Sequence, residues 1–251
     1  MSETKGVAAT GAHSCVINPR LKDAQEGLLT GGKYGRMFPG LPPCEVDVES
    51  AAGLGKAAST VDATMPVVDR ALENRRIPAG FAVLGQFVAH DITADRSLLA
   101  RHASAEDLRN SRAPRLDLEC VYGDGPVGNP FMYDAEDPDK LLLGDGDDLP
   151  RNHQGVALIG DPRNDVHLLI SQLHLAFLRF HNRLVDHLRE VGTPGGEVFD
   201  QARRLVRWHY EWIVVREFLP LTVGEDLLAD IEVRGRQFYE PGEEPSIPVE
   251  F

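Results

Sequence analysis

Cysteine is scarce. Cys15, Cys44 and Cys120 are the three in the chain, and none belongs to a C-x-x-C pair. So sparse and odd a set argues against a disulfide framework and a cysteine-rich zinc site. Long apolar runs are missing: none approaches the roughly 18–20 residues that span a bilayer. The opening MSETKGVAATGAHS lacks the apolar stretch of a secretory signal. Cytosolic residence is therefore expected, with export by a route without a cleaved signal as the alternative. Basic residues are in deficit, 26 Lys and Arg against 39 Asp and Glu, for a net charge of −13. No Lys/Arg cluster offsets that charge. Nucleic acid and anionic membranes are disfavoured as partners, and cations are favoured. Strand-like alternation and internal repeats are also lacking.

What is present is a 251-residue chain, 42% hydrophobic, which can bury a sizeable core. Residues 1–34 read as a flexible arm. Residues 51–75 have weak helical character. The first clear apolar helix is expected over residues 80–90, GFAVLGQFVAH, although its two glycines lower its propensity. Glycine there marks the close approach of something large to the backbone. Residues 103–160 read as loop. Within them, Asp134, Glu136, Asp137, Asp139, Asp145, Asp147 and Asp148 lie among Gly and Pro. Their spacing is not that of an EF-hand, so a solvated surface loop is expected.

Two strong helices follow. Over Leu168–Glu190, the residues Leu169, Leu173, Phe177, Phe180, Leu184 and Leu188 form an apolar stripe. Asp161-Pro162 suits its entrance and the glycines at 192–196 close it. Over residues 199–218, Ala202, Leu205, Val206, Trp208, Trp212, Ile213, Val215 and Phe218 are the apolar set, and Pro220 is expected to stop the helix. The fold class is mainly α with long ordered loops.

Few polar groups interrupt these apolar faces. Gln86 and His90, four apart, share one helix face. His90 is either a core histidine bonded to a carbonyl or an acid/base in a pocket. Asp91 points to another face and can serve a separate site. Arg163 sits at a helix start, where it can stabilise negative charge on a ligand or pair with a neighbouring Asp. His174 and His181 lie two turns apart, as a metal pair or as satisfied core histidines.

In order along the chain, these segments resemble the animal-type haem peroxidase superfamily, especially its bacterial members. The run GQFVAHD at 85–91 is similar to the distal-histidine motif. DPRND at 161–165, followed by LRFHNRL at 178–184, is similar to the catalytic-arginine segment and its helix. REFLP at 216–220, GRMFP at 35–39 and RLDLECVYG at 115–123 extend the likeness. The resemblance implies haem b as cofactor, with hydrogen peroxide and an organic or halide donor as substrates. It implies His90 as the distal acid/base, Arg163 as the charge-stabilising residue and Gln86 as the residue that orients pocket water or halide. A structural calcium ion would be bound by Asp91 and Asp117, with Glu119 and the carbonyl of Arg115 as further ligands. Ala113 stands where many relatives carry a threonine. Ala89 and Val166 stand where many relatives esterify the haem, so haem should be non-covalent at these points. His167 takes no role from the resemblance. The family's iron-binding histidine has no counterpart in a matching motif here. Residues 35–251 are therefore expected to be the distal half of a helical peroxidase domain, lacking the proximal-histidine segment, with a second chain as a conceivable source of it. Two other classes stand beside this one. One is a haem-free remnant acting as an interaction module or without activity. The other is a metal-dependent HD-type phosphohydrolase prompted by His90-Asp91.

Overall fold

The computed structural model describes residues 33–35, 38, 40–42, 47–50, 74–94, 110–112, 114–238 and 246–248. The expected arm at 1–34 is almost wholly outside the described residues, as are Cys15, Cys44, Ala113 and nearly all of 51–75. Among the described residues the main elements are strand β1 (Lys33–Gly35), helices α1 (Gly80–Ile92), α2 (Glu119–Tyr122), α3 (Gly125–Gly128), α4 (Leu168–Glu190), α5 (Val198–Ile213), α6 (Leu219–Val223) and α7 (Glu225–Arg234), and strand β2 (Ser246–Pro248). The fold is mainly α. The two strands pair in parallel, Tyr34 opposite Ile247.

α4 is the central rod, 23 residues or about 35 Å long. His167 caps its start, the ring accepting from the Ile170 amide at 3.3 Å. His187 and Arg189 in the last turn complement the helix dipole. Its inward line differs from the expected stripe: Ile170, His174, Leu175, Phe177, Leu178, His181, Val185 and Leu188 are buried, whereas Leu169 is exposed. An apolar count cannot see this line, because two of its members are histidines. α5 shows a similar correction. Val198, Ala202, Val206 and Tyr210 form its buried line, which Val214 continues beyond the helix, and Trp208 and Trp212 face outward.

An aromatic cluster joins α1, α4 and α5. Phe87 stacks on Phe177 with ring centroids 4.9 Å apart, and both meet the edge of Tyr210. After Ile213 the helix widens into a π turn over Val214–Phe218. A β-carbon at Gly85 would lie 3.1 Å from the Phe218 ring, so this glycine lets α1 settle against the π turn. Pro220 does not end the helical path. It sits in the first turn of α6, where its missing N–H costs nothing.

Residues 134–151 are also more anchored than expected. Leu141 and Leu149 are fully buried. Asn182 of α4 clamps Leu141 by its N–H and its carbonyl, both at 2.8 Å. Arg189 binds Asp137 and Asp139, and Arg179 binds Asp147. His181 and His174 are both buried and do not form a metal pair: His181 bonds the Tyr122 hydroxyl and the Asp139 carbonyl, whereas His174 bonds Asn164.

Candidate functional site

The end of α1 and the turn before α4 meet in one polar junction. A short 3₁₀ turn, Pro162–Asp165, is capped by Asp161, whose carboxylate accepts from the Arg163 amide at 3.0 Å. The Arg163 guanidinium also folds back onto Asp161, its Nε 3.0 Å and its Nη2 2.8 Å from the two carboxylate oxygens. The same Nη2 donates to the carbonyls of His90 and Thr93. Arg163 thus staples the last turn of α1 to the start of α4.

Arg112, buried, approaches Asp161 from the other side at 2.8 Å, and its second nitrogen bonds Glu119 at 2.6 Å. Burial opposes ionisation of Asp161, but the hydrogen bonds from Arg163 and Arg112 outweigh it and hold the carboxyl well below the usual range.

His90 stands half-buried on this junction. Its Nδ1 lies 2.8 Å from the Asn164 side-chain oxygen. Burial lowers its pKa below the ordinary histidine value, the Asn164 bond opposes that, and the charge of Arg163 adds to it. The ring is therefore neutral at neutral pH. One turn earlier, Gln86 Oε1 lies 2.9 Å from His167 Nε2. Because His167 Nδ1 accepts from Ile170, its Nε2 carries the proton and donates to Gln86. The Gln86 amide N–H groups remain to donate elsewhere. His90, Gln86 and Arg163 come together from two segments more than seventy residues apart.

Asp91, next to His90 but on another face of the helix, is fully buried. It accepts from the amides of Leu118 and Cys120, at 3.1 and 3.3 Å. Leu118 is held at φ 58°, a left-handed conformation costing about 1–2 kcal/mol, to present those amides. Burial, then the charge of Asp117, pushes the Asp91 carboxyl up to about 6. The buried Tyr210 hydroxyl lies near Asp91, and its pKa is raised by burial and then by Asp91. Glu119 turns to Arg112 rather than to this pair, and Arg115 is exposed. Among the described residues no three His, Cys, Asp or Glu side chains stand in metal-binding geometry.

Sequence reasoning passed over Asn164 and Arg112, whereas the neighbouring Asp it offered as a partner for Arg163 is Asp161. Asn164 touches His90, 74 residues away, and His174, ten residues away, so no local pattern announces it.

The fold places the chain beside two solved enzymes. Fatty acid alpha-dioxygenase of Arabidopsis thaliana aligns with a TM-score of 0.52 at 14% identity, over 69% of this chain and 34% of that one. The Oryza sativa enzyme gives 0.51 at 15%, over 71% and 38%. At such identity the likeness concerns the helical fold alone. The family comes from sequence: the animal haem peroxidase model matches residues 100–251, more than half of the chain, which therefore belongs to that family. The match includes Arg163 and begins beyond His90. Human lactoperoxidase is 32% identical over 128 residues, 49% of this chain and 17% of its own length. Drosophila melanogaster peroxidasin is 29% identical over 106 residues, 41% of this chain and 7% of its own length. The chain thus corresponds to less than a fifth of either curated relative. Among the described residues no helix is long and apolar enough to cross a membrane.

Proposed function

We propose that this chain carries the peroxide-activating face of a haem peroxidase, which reduces hydrogen peroxide and oxidises an organic or halide donor. The observation that carries the reading is the convergence of a neutral, half-buried His90 with Gln86 and Arg163 at one helix junction. The surroundings suit a flat apolar macrocycle. Val166, Leu168 and Leu169, which flank the His167 that touches Gln86, are 64%, 72% and 63% exposed. Such side chains gain by being covered. Gln86, His90 and Arg163, with these apolar neighbours, would hold haem. Ala89 and Val166 have no carboxylate, so no ester can form through them. An iron ligand from another segment or chain would complete the site.

Bound haem would supply the iron that receives peroxide and stores its oxidising equivalents. The protein supplies the proton traffic. His90 Nε2, on the ring edge opposite Asn164, would accept a proton from hydrogen peroxide and give it back to the departing oxygen. Arg163 lends positive charge as the O–O bond separates. Its hydrogen bonds use Nε and Nη2, and Nη1 is the nitrogen left to face a ligand. Gln86, oriented by His167, donates an amide N–H to a water or halide.

Calcium is part of the same proposal. Asp91 is fully buried, the partly buried Asp117 raises its pKa further, and a cation beside these two carboxylates would relieve both. Asp91→Ala should then lower the melting temperature and abolish its response to a chelator. Identical melting with and without chelator in the wild type would remove the calcium ion from the proposal.

The deciding experiment is a haemin titration of the purified chain, followed by its visible spectrum. Saturable binding near one haem per chain, with a shifted Soret band weakened by His90→Ala, is the expected result. Absence of saturable binding, with and without imidazole as a surrogate iron ligand, favours the haem-free module instead.

A further inference from the structure

The Asn164 carboxamide is fully buried and lies between two imidazoles. Its oxygen is 2.8 Å from His90 Nδ1, and its nitrogen is 3.0 Å from His174 Nδ1. An amide oxygen only accepts and an amide nitrogen only donates. The two contacts therefore specify two tautomers. His90 carries its proton on Nδ1, and His174 has a bare Nδ1. His174 is completely enclosed, and burial holds it neutral, its pKa brought down to about 4. Its one proton is consequently on Nε2, an atom with no partner of its own. Phe87 meets the His174 ring at 65°, and Phe87 is in turn stacked on Phe177. The ring that orients the carboxamide is thus itself locked in the aromatic core.

We propose that Asn164 is a positioning residue, with His174 as its support: the pair holds His90 in the Nδ1–H tautomer and keeps the His90 Nε2 lone pair open. An imidazole without such a partner settles mainly with its proton on Nε2, which blocks the atom that must accept one. The tautomer is fixed by what the other ring nitrogen bonds. Its use in peroxide activation rests on the function proposed above, whereas the tautomer itself does not.

The experiment is nitrogen NMR on the complete chain without haem, with ring-labelled histidine, near pH 8, where neutral imidazoles dominate. His90→Gln identifies the signal by removing it. The wild type should show the His90 proton on Nδ1. Asn164→Ala should move it to Nε2. Asn164→Asp, which keeps the acceptor, should leave it on Nδ1, and His174→Phe should give a mixture. A purely structural role for Asn164 would alter melting without moving this proton. A wild-type His90 protonated on Nε2, or a tautomer unchanged by Asn164→Ala, overturns the proposal. The wild-type spectrum decides the matter even if Asn164→Ala does not fold. In haem-loaded protein, Asn164→Ala should slow peroxide activation about 10- to 100-fold, the usual reach of a residue that orients another. Expected spectra alongside a loaded protein inert to peroxide would defeat the peroxidase reading and leave the relay standing.

Discussion

The two halves of α4 do different work with the same residue types. Toward its C-terminus, His181 has both nitrogens bonded, Asn182 clamps Leu141 on both sides, and Arg189 holds Asp137 and Asp139. Toward its N-terminus, His174 keeps a buried nitrogen without a partner, and Leu168 and Leu169 are bare. The cap residue His167 spends its free nitrogen on Gln86. Buried polar groups normally find partners, and large apolar side chains normally find cover. One half meets these rules and serves to fasten a loop. The other departs from them: the His174 nitrogen goes unpaired inside the aromatic core, and Leu168 and Leu169 lie bare next to His167, where a ligand would cover them.

The contrast can be broken most severely at His90. His90→Ala in haem-loaded protein should slow peroxide activation by roughly 10²–10⁴-fold. Stopped-flow rates equal to the wild type would take His90 out of the mechanism. Next in size is Arg112, which ties the site half to the fold. Arg112→Met removes one partner of a buried ion pair, strands Glu119 and weakens the hold on Asp161, and should cost about 3–5 kcal/mol in urea unfolding. A change below about 1 kcal/mol would show that Arg163 alone suffices.

The third prediction concerns pH. Burial lowers the pKa of both His174 and His181 to about 4, against about 6.5 in an unfolded chain. Between those values the unfolded chain binds the extra proton, so stability rises with pH and is lost as pH falls below 6.5. From pH 6.5 to pH 5 the loss is about 2 kcal/mol for each ring. His181→Gln should flatten the pH dependence by that amount, and an undiminished slope would contradict its burial as a neutral ring. The smallest effect belongs to the fastening half. Arg189 is exposed, and Arg189→Ala should cost under about 1 kcal/mol and leave haem binding unchanged. A loss of several kcal/mol would mean that the loop is held by a cooperative network.

Local signals show where α4 lies, because Asp161-Pro162 and Gly192 punctuate it on both sides. They do not show which face turns inward. Counting apolar residues discards His174 and His181, both of which are core, and retains Trp208 and Trp212, both of which are exposed. Gln86, His90 and Arg163 stand out as polar groups on apolar or capping segments, so their candidacy is readable before any fold is known. Asn164 is not readable in this way. It looks like an ordinary turn residue, and its meaning comes from rings that the tertiary fold brings to either side. The anchoring of residues 134–151 is hidden for a similar reason, since its basic partners on α4 lie 32–52 residues further along.

The contact between Gly85 and Phe218 acts as a depth gauge. Gly85 lies five positions before His90, and the ring of Phe218 stops α1 where a methyl group would already be 3.1 Å away. Any side chain at 85 would shift the helix or the ring by a few tenths of an ångström, and His90 would ride on that shift. Displacements approaching 1 Å can cost a catalytic group about 10²-fold in rate. The tolerance to which α1 is seated therefore depends on an absent atom, at a position that touches no substrate.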